Sequence, residues 1–120
     1  MLELSEIIAT GLLQNTAVAT IVGTKVFPLL ADQEVDIPFI VYRVAKFSQA
    51  TKDNAFDYEV TIISYTNTYN DSLSLADAVI EAMKVVNLNN KAYTFNDAGA
   101  TPFVDEEQKY YVEQKLNIKK

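Results

Sequence analysis

The sequence predicts an α+β fold, in which an antiparallel sheet of about four to five strands carries two main helices on one face. Three observations lead there. Apolar residues recur at three- and four-residue spacing near the N-terminus and again over residues 72–86, the period of an amphipathic helix. Stretches rich in β-branched and aromatic residues alternate apolar with polar at period two, as strands with one dry face do. Such strands need helices on the dry face and leave the other exposed or open to a partner.

In chain order, Leu4, Ile7, Ile8 and Leu12, with Leu13 beside them, form the stripe of a first helix. Thr16 then offers an N-cap and Gly23 a left-handed stop for a short second helical piece. The run KVFPLL (25–30) reads as a brief strand, at an edge or broken by a bulge, because Pro28 has no N–H for a ladder. A polar loop over 32–36 follows, and Pro38 biases Ile37 to extended geometry.

Residues 38–47 and 56–65 read as the two clearest strands, a hairpin with a long connection. In the second, Tyr58, Val60 and Ile62 share one face, and Asp57, Glu59 and Thr61 the other. Asn70 or Asp71 can cap a helix over 72–86, whose dry stripe is Leu75, Ala76, Val79, Ile80, Met83 and Val86. The Asn-rich stretch 87–90 ends it with residues that tolerate left-handed geometry. Two strands complete the chain, 92–95 and 109–118, joined by a loop over 96–107. In the last, Tyr110, Val112, Leu116 and Ile118 alternate with Tyr111, Glu113, Lys115 and Asn117.

A chain of 120 residues buries roughly two-thirds of its surface, so one domain spanning 1–120 is expected. The formal net charge is −6, and Arg43 is the single arginine among ten cations. Phosphate grooves need clustered Lys and Arg, so nucleic-acid binding is disfavoured. There is no Cys and no His, which removes disulfides, thiolate nucleophiles and the commonest general base and metal ligand. The three glycines are isolated and form no phosphate loop. No enzyme activity and no cofactor are therefore expected. No apolar run approaches a membrane span, and the acidic start, MLELSE, is unlike a secretory signal. The expectation is a soluble protein made in the cytoplasm.

The acidic cluster Asp105, Glu106 and Glu107, with Asp97 upstream, reads either as a solvated turn or as an oxygen site for a hard cation; its spacing matches no calcium loop. The seven tyrosines read chiefly as core and cross-strand packing, with Tyr65 and Tyr111 on the wet face as candidates for a protein interface. The loop bounded by Lys46, Phe47 and Phe56, with Lys52 near its tip, is either a mobile hairpin end or a docking element for a neighbouring subunit. Arg43 is open to an intersubunit or a local carboxylate pair.

Four stretches together resemble the tail terminator, or tail-completion, proteins of long-tailed phages and prophages. These are LLQNTAVATIVGTKVFP (12–28), IPFIVY (37–42), YEVTIISY (58–65) and SLADAVIEAM (74–83), in an order that covers about residues 5–118. The resemblance implies a virion structural protein that forms a ring, hexameric in lambda-type members. Such a ring caps the head-proximal end of the tail tube and meets the head-tail connector. It implies no catalytic residues. A ring through which DNA passes should repel phosphate, which makes Asp57, Glu59 and Glu113 candidates for lumen-facing acids. The alternatives are a head-completion or connector protein of the same neck region, and a small-ligand-binding module whose pocket is the open sheet face.

Overall fold

The computed structural model describes residues 2–29, 36–48, 56–107 and 109–119. Helix α1 (Leu2–Gln14) and the short α2 (Thr16–Val22) come first, then strand β1 (Val26–Pro28). Strands β2 (Phe39–Ser48) and β3 (Phe56–Thr66) form the expected antiparallel hairpin. Helix α3 (Tyr69–Asn89) follows, then β4 (Thr94–Val104) and β5 (Tyr110–Lys119). The fold is α+β, with the helices on one face of a five-stranded sheet of order β1-β2-β3-β5-β4.

The core sits between the two layers. Leu4, Ile8 and Leu12 of α1 and Leu75, Val79 and Met83 of α3 meet Ile40, Val60, Ile62 and Ile118 of the sheet, all of them buried. Burying each such aliphatic side chain is worth about 1.5–3 kcal/mol. The period-two reading of β3 and β5 holds: Tyr58, Val60 and Ile62 face the helices, as do Val112, Leu116 and Ile118.

Several local expectations change. Asn15, not Thr16, caps α2, its Oδ1 accepting from the Val18 N–H at 3.0 Å. Gly23 does stop that helix at φ 63°. Thr68, not Asn70 or Asp71, caps α3, because its hydroxyl lies 3.1 Å from the Asp71 N–H. At the other end Asn90 has φ −126° rather than left-handed geometry, and its side-chain amide donates to the Val86 carbonyl at 2.8 Å.

The expected loop over 96–107 is largely strand: β4 runs to Val104, with a register shift between Asp97 and Gly99. An edge position tolerates the missing N–H of Pro102 and the bulge, which is why the polar, Gly- and Pro-containing sequence still pairs. β1 lies at the opposite edge, as Pro28 requires, and pairs parallel to β2. The polar loop over 32–35 and the tip of the β2–β3 connection, with Lys52, lie outside the described residues.

Candidate functional site

Strand alternation puts residues 39, 41 and 43 of β2 on the helix-free face, together with 59, 61, 63 and 65 of β3 and 111, 113 and 115 of β5. The register then aligns rings across neighbouring strands. Phe39 pairs with Tyr65, Tyr65 with Tyr111, and Tyr111 with Phe103. Their ring centroids are 4.7, 5.3 and 5.2 Å apart, with interplanar angles of 26°, 32° and 21°. Phe27 of β1 closes the row edge-on against Phe39 at 6.3 Å. One aromatic row thus crosses all five strands.

The near-parallel rings stack on one another along the cross-strand direction. The ring faces between Phe39, Tyr65, Tyr111 and Phe103 are therefore taken up by neighbouring rings. A nucleic-acid platform needs free ring faces on which bases stack. This row instead offers the amphipathic surface at which tyrosines serve protein interfaces.

Beside the row lie Val41 and Ile63, then Arg43, Thr61 and Lys115. Val41 and Thr61 are buried although they face away from the helices. Glu113 pairs with Lys115 at 3.6 Å across a partly exposed surface, a contact worth under about 1 kcal/mol. Burial chiefly, and then the negative charge that Tyr111, Asp105 and Glu113 bring nearby, raises the Tyr65 phenol above its ordinary pKa.

Of the residues singled out in the sequence, Tyr65 and Tyr111 are direct cross-strand neighbours, and exposed Arg43 shares their face. Exposed Lys46 pairs in register with Tyr58, a core position, and so stands on the opposite face. Phe47 is in register with Asp57, and Phe56 with Ser48, at the far end of the hairpin from the aromatic row. Glu59 and Glu113 occupy the same face as Tyr65 and Tyr111, so the candidate lumen acids and the candidate interface residues are not on separate surfaces.

Phe27, Phe39 and Phe103 were not singled out. Phe39 was legible from the alternation of β2, but Phe103 lay in a segment read as loop. The acidic cluster forms the β4–β5 turn, where the Asp105 carboxylate accepts from the N–H groups of Glu107 and Lys109 at 2.9 and 2.8 Å.

Among the described residues, concavities lie on the helical side of the molecule, and two of them are the following. One, of about 580 Å³, runs between α1 and α3 and is lined by Glu3, Glu6, Gly11, Val85 and Val86 among others. The other, of about 220 Å³, lies between α3 and the β4–β5 pair, beside Met83, Phe95 and Leu116. Neither is lined by Tyr65 or Tyr111. The chain matches no protein-family model and no curated protein.

Proposed function

We propose that this chain is a structural subunit of a phage or prophage virion, forming a ring that caps the head-proximal end of a tail tube and contributes to the head-tail joint. The observation that carries this reading is the aromatic row across a helix-free sheet face, a surface suited to protein contact. The four stretches that resemble tail terminators contribute to α1, α2, β1, β2, β3 and α3, so the resemblance extends over most of the elements that build both layers. The absence of His and Cys from the sequence agrees with a structural rather than a catalytic role.

The partners on this reading are further copies of the chain, the tail tube protein and the head-tail connector. DNA passes through the ring without specific binding, since each subunit contributes a formal charge of −6 and the assembled ring repels phosphate. No cofactor takes part.

Light scattering over a range of concentration and salt tests the proposal. A species near six times 13.4 kDa, formed alone or on addition of tail tube protein, is the expected result. A chain that stays monomeric under both conditions overturns it. Binding to the connector without binding to the tube moves the role to the head side of the joint.

A further inference from the structure

We infer that neighbouring subunits join edge to edge, the free half of β2 on one copy pairing antiparallel with the last residues of β4 on the next. This rests on the ring reading above and names the two strand edges that build it.

Strand β2 has ten residues, but β1 lies along only three of them. The register pairs Val26, Phe27 and Pro28 with Ile40, Val41 and Tyr42, and the Leu29 N–H adds one bond to the Tyr42 carbonyl at 2.8 Å. The Ile40 N–H points the same way, to the Lys25 carbonyl at 2.9 Å, so the even-numbered residues of β2 turn their N–H and C=O groups to this edge. Val44, Lys46 and Ser48 therefore present backbone donors and acceptors with no strand beside them among the described residues. Neither a proline nor a bulge blunts the stretch, since pairing with β3 runs unbroken to Ser48.

At the opposite edge of the sheet, β4 is protected along its first half. The Asn87 Oδ1 accepts from the Phe95 N–H at 3.3 Å, and the register shifts between Asp97 and Gly99. Beyond the shift the strand is regular. The Asp105 N–H bonds inward to the Lys109 carbonyl at 3.0 Å, so by alternation Ala100, Pro102 and Val104 face outward. Pro102 has no N–H to give but keeps its carbonyl as an acceptor. Set antiparallel, Val44 against Val104, Lys46 against Pro102 and Ser48 against Ala100 exchange backbone bonds, short only of the one that Pro102 cannot donate.

Direction and face suit a ring. β2 and β4 run in opposite directions, because three successive antiparallel pairings separate them. A copy related by rotation keeps its strand directions, so its β2 arrives antiparallel to this β4. In that register Ala45 meets Phe103, both on the helix-free face, and the sheet and the helical layer each continue across the contact. Two different edges on one subunit make a heterologous contact, the kind that closes into a ring.

The symmetric pairings are disfavoured. Arg43 and Lys46 are the only charged residues of β2. Pairing β2 with β2 of a two-fold mate, centred on the free residues, sets Lys46 against Lys46, and like charges directly opposite are destabilising. Pairing β4 with β4 about Pro102 leaves its centre without a donor. Joining β2 to β4 instead brings Arg43, which makes no ion pair among the described residues, beside the turn of Asp105, Glu106 and Glu107, where Lys109 is paired with Glu107. Asp57 and Glu59 stand one strand further in, on β3, and neighbour β2 of their own copy in every pairing.

The chain has no cysteine, so introduced thiols report the contact directly. Residues 45 and 103 form a non-hydrogen-bonded cross-strand pair in the proposed register, with Cα atoms about 4.5 Å apart, within reach of a disulfide. Ala45→Cys and Phe103→Cys are mixed under mild oxidation, at concentrations where wild type self-associates or with tail tube protein present; circular dichroism with a thermal melt verifies that each variant folds. A covalent pair of twice 13.4 kDa is expected, at least about tenfold more abundant than from Ala45→Cys mixed with Thr94→Cys, whose thiol sits at the far end of β4. If wild type forms rings while the two mixtures cross-link equally or not at all, the inference falls and the ring reading stands. An equal yield of covalent pair from Ala45→Cys alone means that β2 meets β2, and the inference falls. A specific covalent pair from a chain that forms no ring, alone or on the tube protein, upholds the edge contact and overturns the ring reading. Neither ring nor covalent pair overturns both.

Discussion

Gly11 of α1 lies so close to α3 that a Cβ at that position would run into the Cγ2 of Val86. Glycine inside a helix costs about 1 kcal/mol relative to alanine, so its use here reflects the close approach of the two helices. The β-branched Val86 has little rotamer freedom with which to yield. Gly11→Ala is therefore expected to lose about 1–3 kcal/mol to overpacking, more than the propensity gain returns. Adding Val86→Ala should relieve the clash. Urea denaturation of the single and double variants measures both effects, and a stabilised single variant would contradict the close approach.

Thr68 is the residue whose hydroxyl caps α3, although Asn70 and Asp71 are the stronger capping candidates in the sequence. Thr68→Ala should cost about 0.5–2 kcal/mol. Asn70→Ala, at an exposed position in the first turn, should stay within about 0.5 kcal/mol of wild type. Equal effects in chemical denaturation would contradict the cap assignment.

Ser64 and Ile62 are two residues apart on β3 and both are fully buried, yet they should respond oppositely to truncation. The Ser64 Oγ has no hydrogen-bond partner among the described residues. Ser64→Ala removes a desolvated hydroxyl and is expected to be neutral or stabilising by up to about 1 kcal/mol. Ile62→Ala opens a cavity against the helices and is expected to cost about 2–5 kcal/mol. The difference in denaturation midpoint between the two variants is the readout.

The phenols of Tyr65 and Tyr93 are both raised above their ordinary pKa, in each case by burial first, and then by nearby negative charge, from Tyr111, Asp105 and Glu113 for Tyr65 and chiefly from Glu3 for Tyr93. The sign follows from linkage. The unfolded chain releases these protons first as the pH passes about 10, so their contribution to stability is complete below that value and is lost as the pH rises through the raised folded values. Stability is expected to fall above about pH 10, and Tyr65→Phe should flatten part of that decline. Ultraviolet absorbance titration of wild type and Tyr65→Phe assigns the late-titrating phenol.

Much of the architecture is legible because local pattern and tertiary role coincide. The stripe from Leu4 to Leu12 and the one from Leu75 to Val86 became the dry faces of α1 and α3. The alternation in β3 and β5 named the buried face of each strand, with Gln114 as an addition: it sits among apolar neighbours, its amide donating to the Ala76 carbonyl at 3.1 Å. The strand expected over 92–95 continues as β4 to Val104, an extension hidden because Asn96, Asp97, Gly99 and Pro102 carry loop-like propensities, which an edge strand tolerates and a central one does not.

The sequence by itself determined the α+β class, the helical stripes, the β2–β3 hairpin and the absence of histidine and cysteine chemistry. These depend on residue type and on periods of a few residues, which short-range sterics and hydrophobicity enforce. Only the tertiary structure decided that β5 inserts between β3 and β4 and that β1 runs parallel to β2. That order brings Phe27, Phe39, Tyr65, Tyr111 and Phe103, spread over 77 positions of chain, into one row. Cross-strand proximity depends on strand order and register, which the packing of the whole core selects, and a ring's neighbour across a sheet leaves no local mark in the chain.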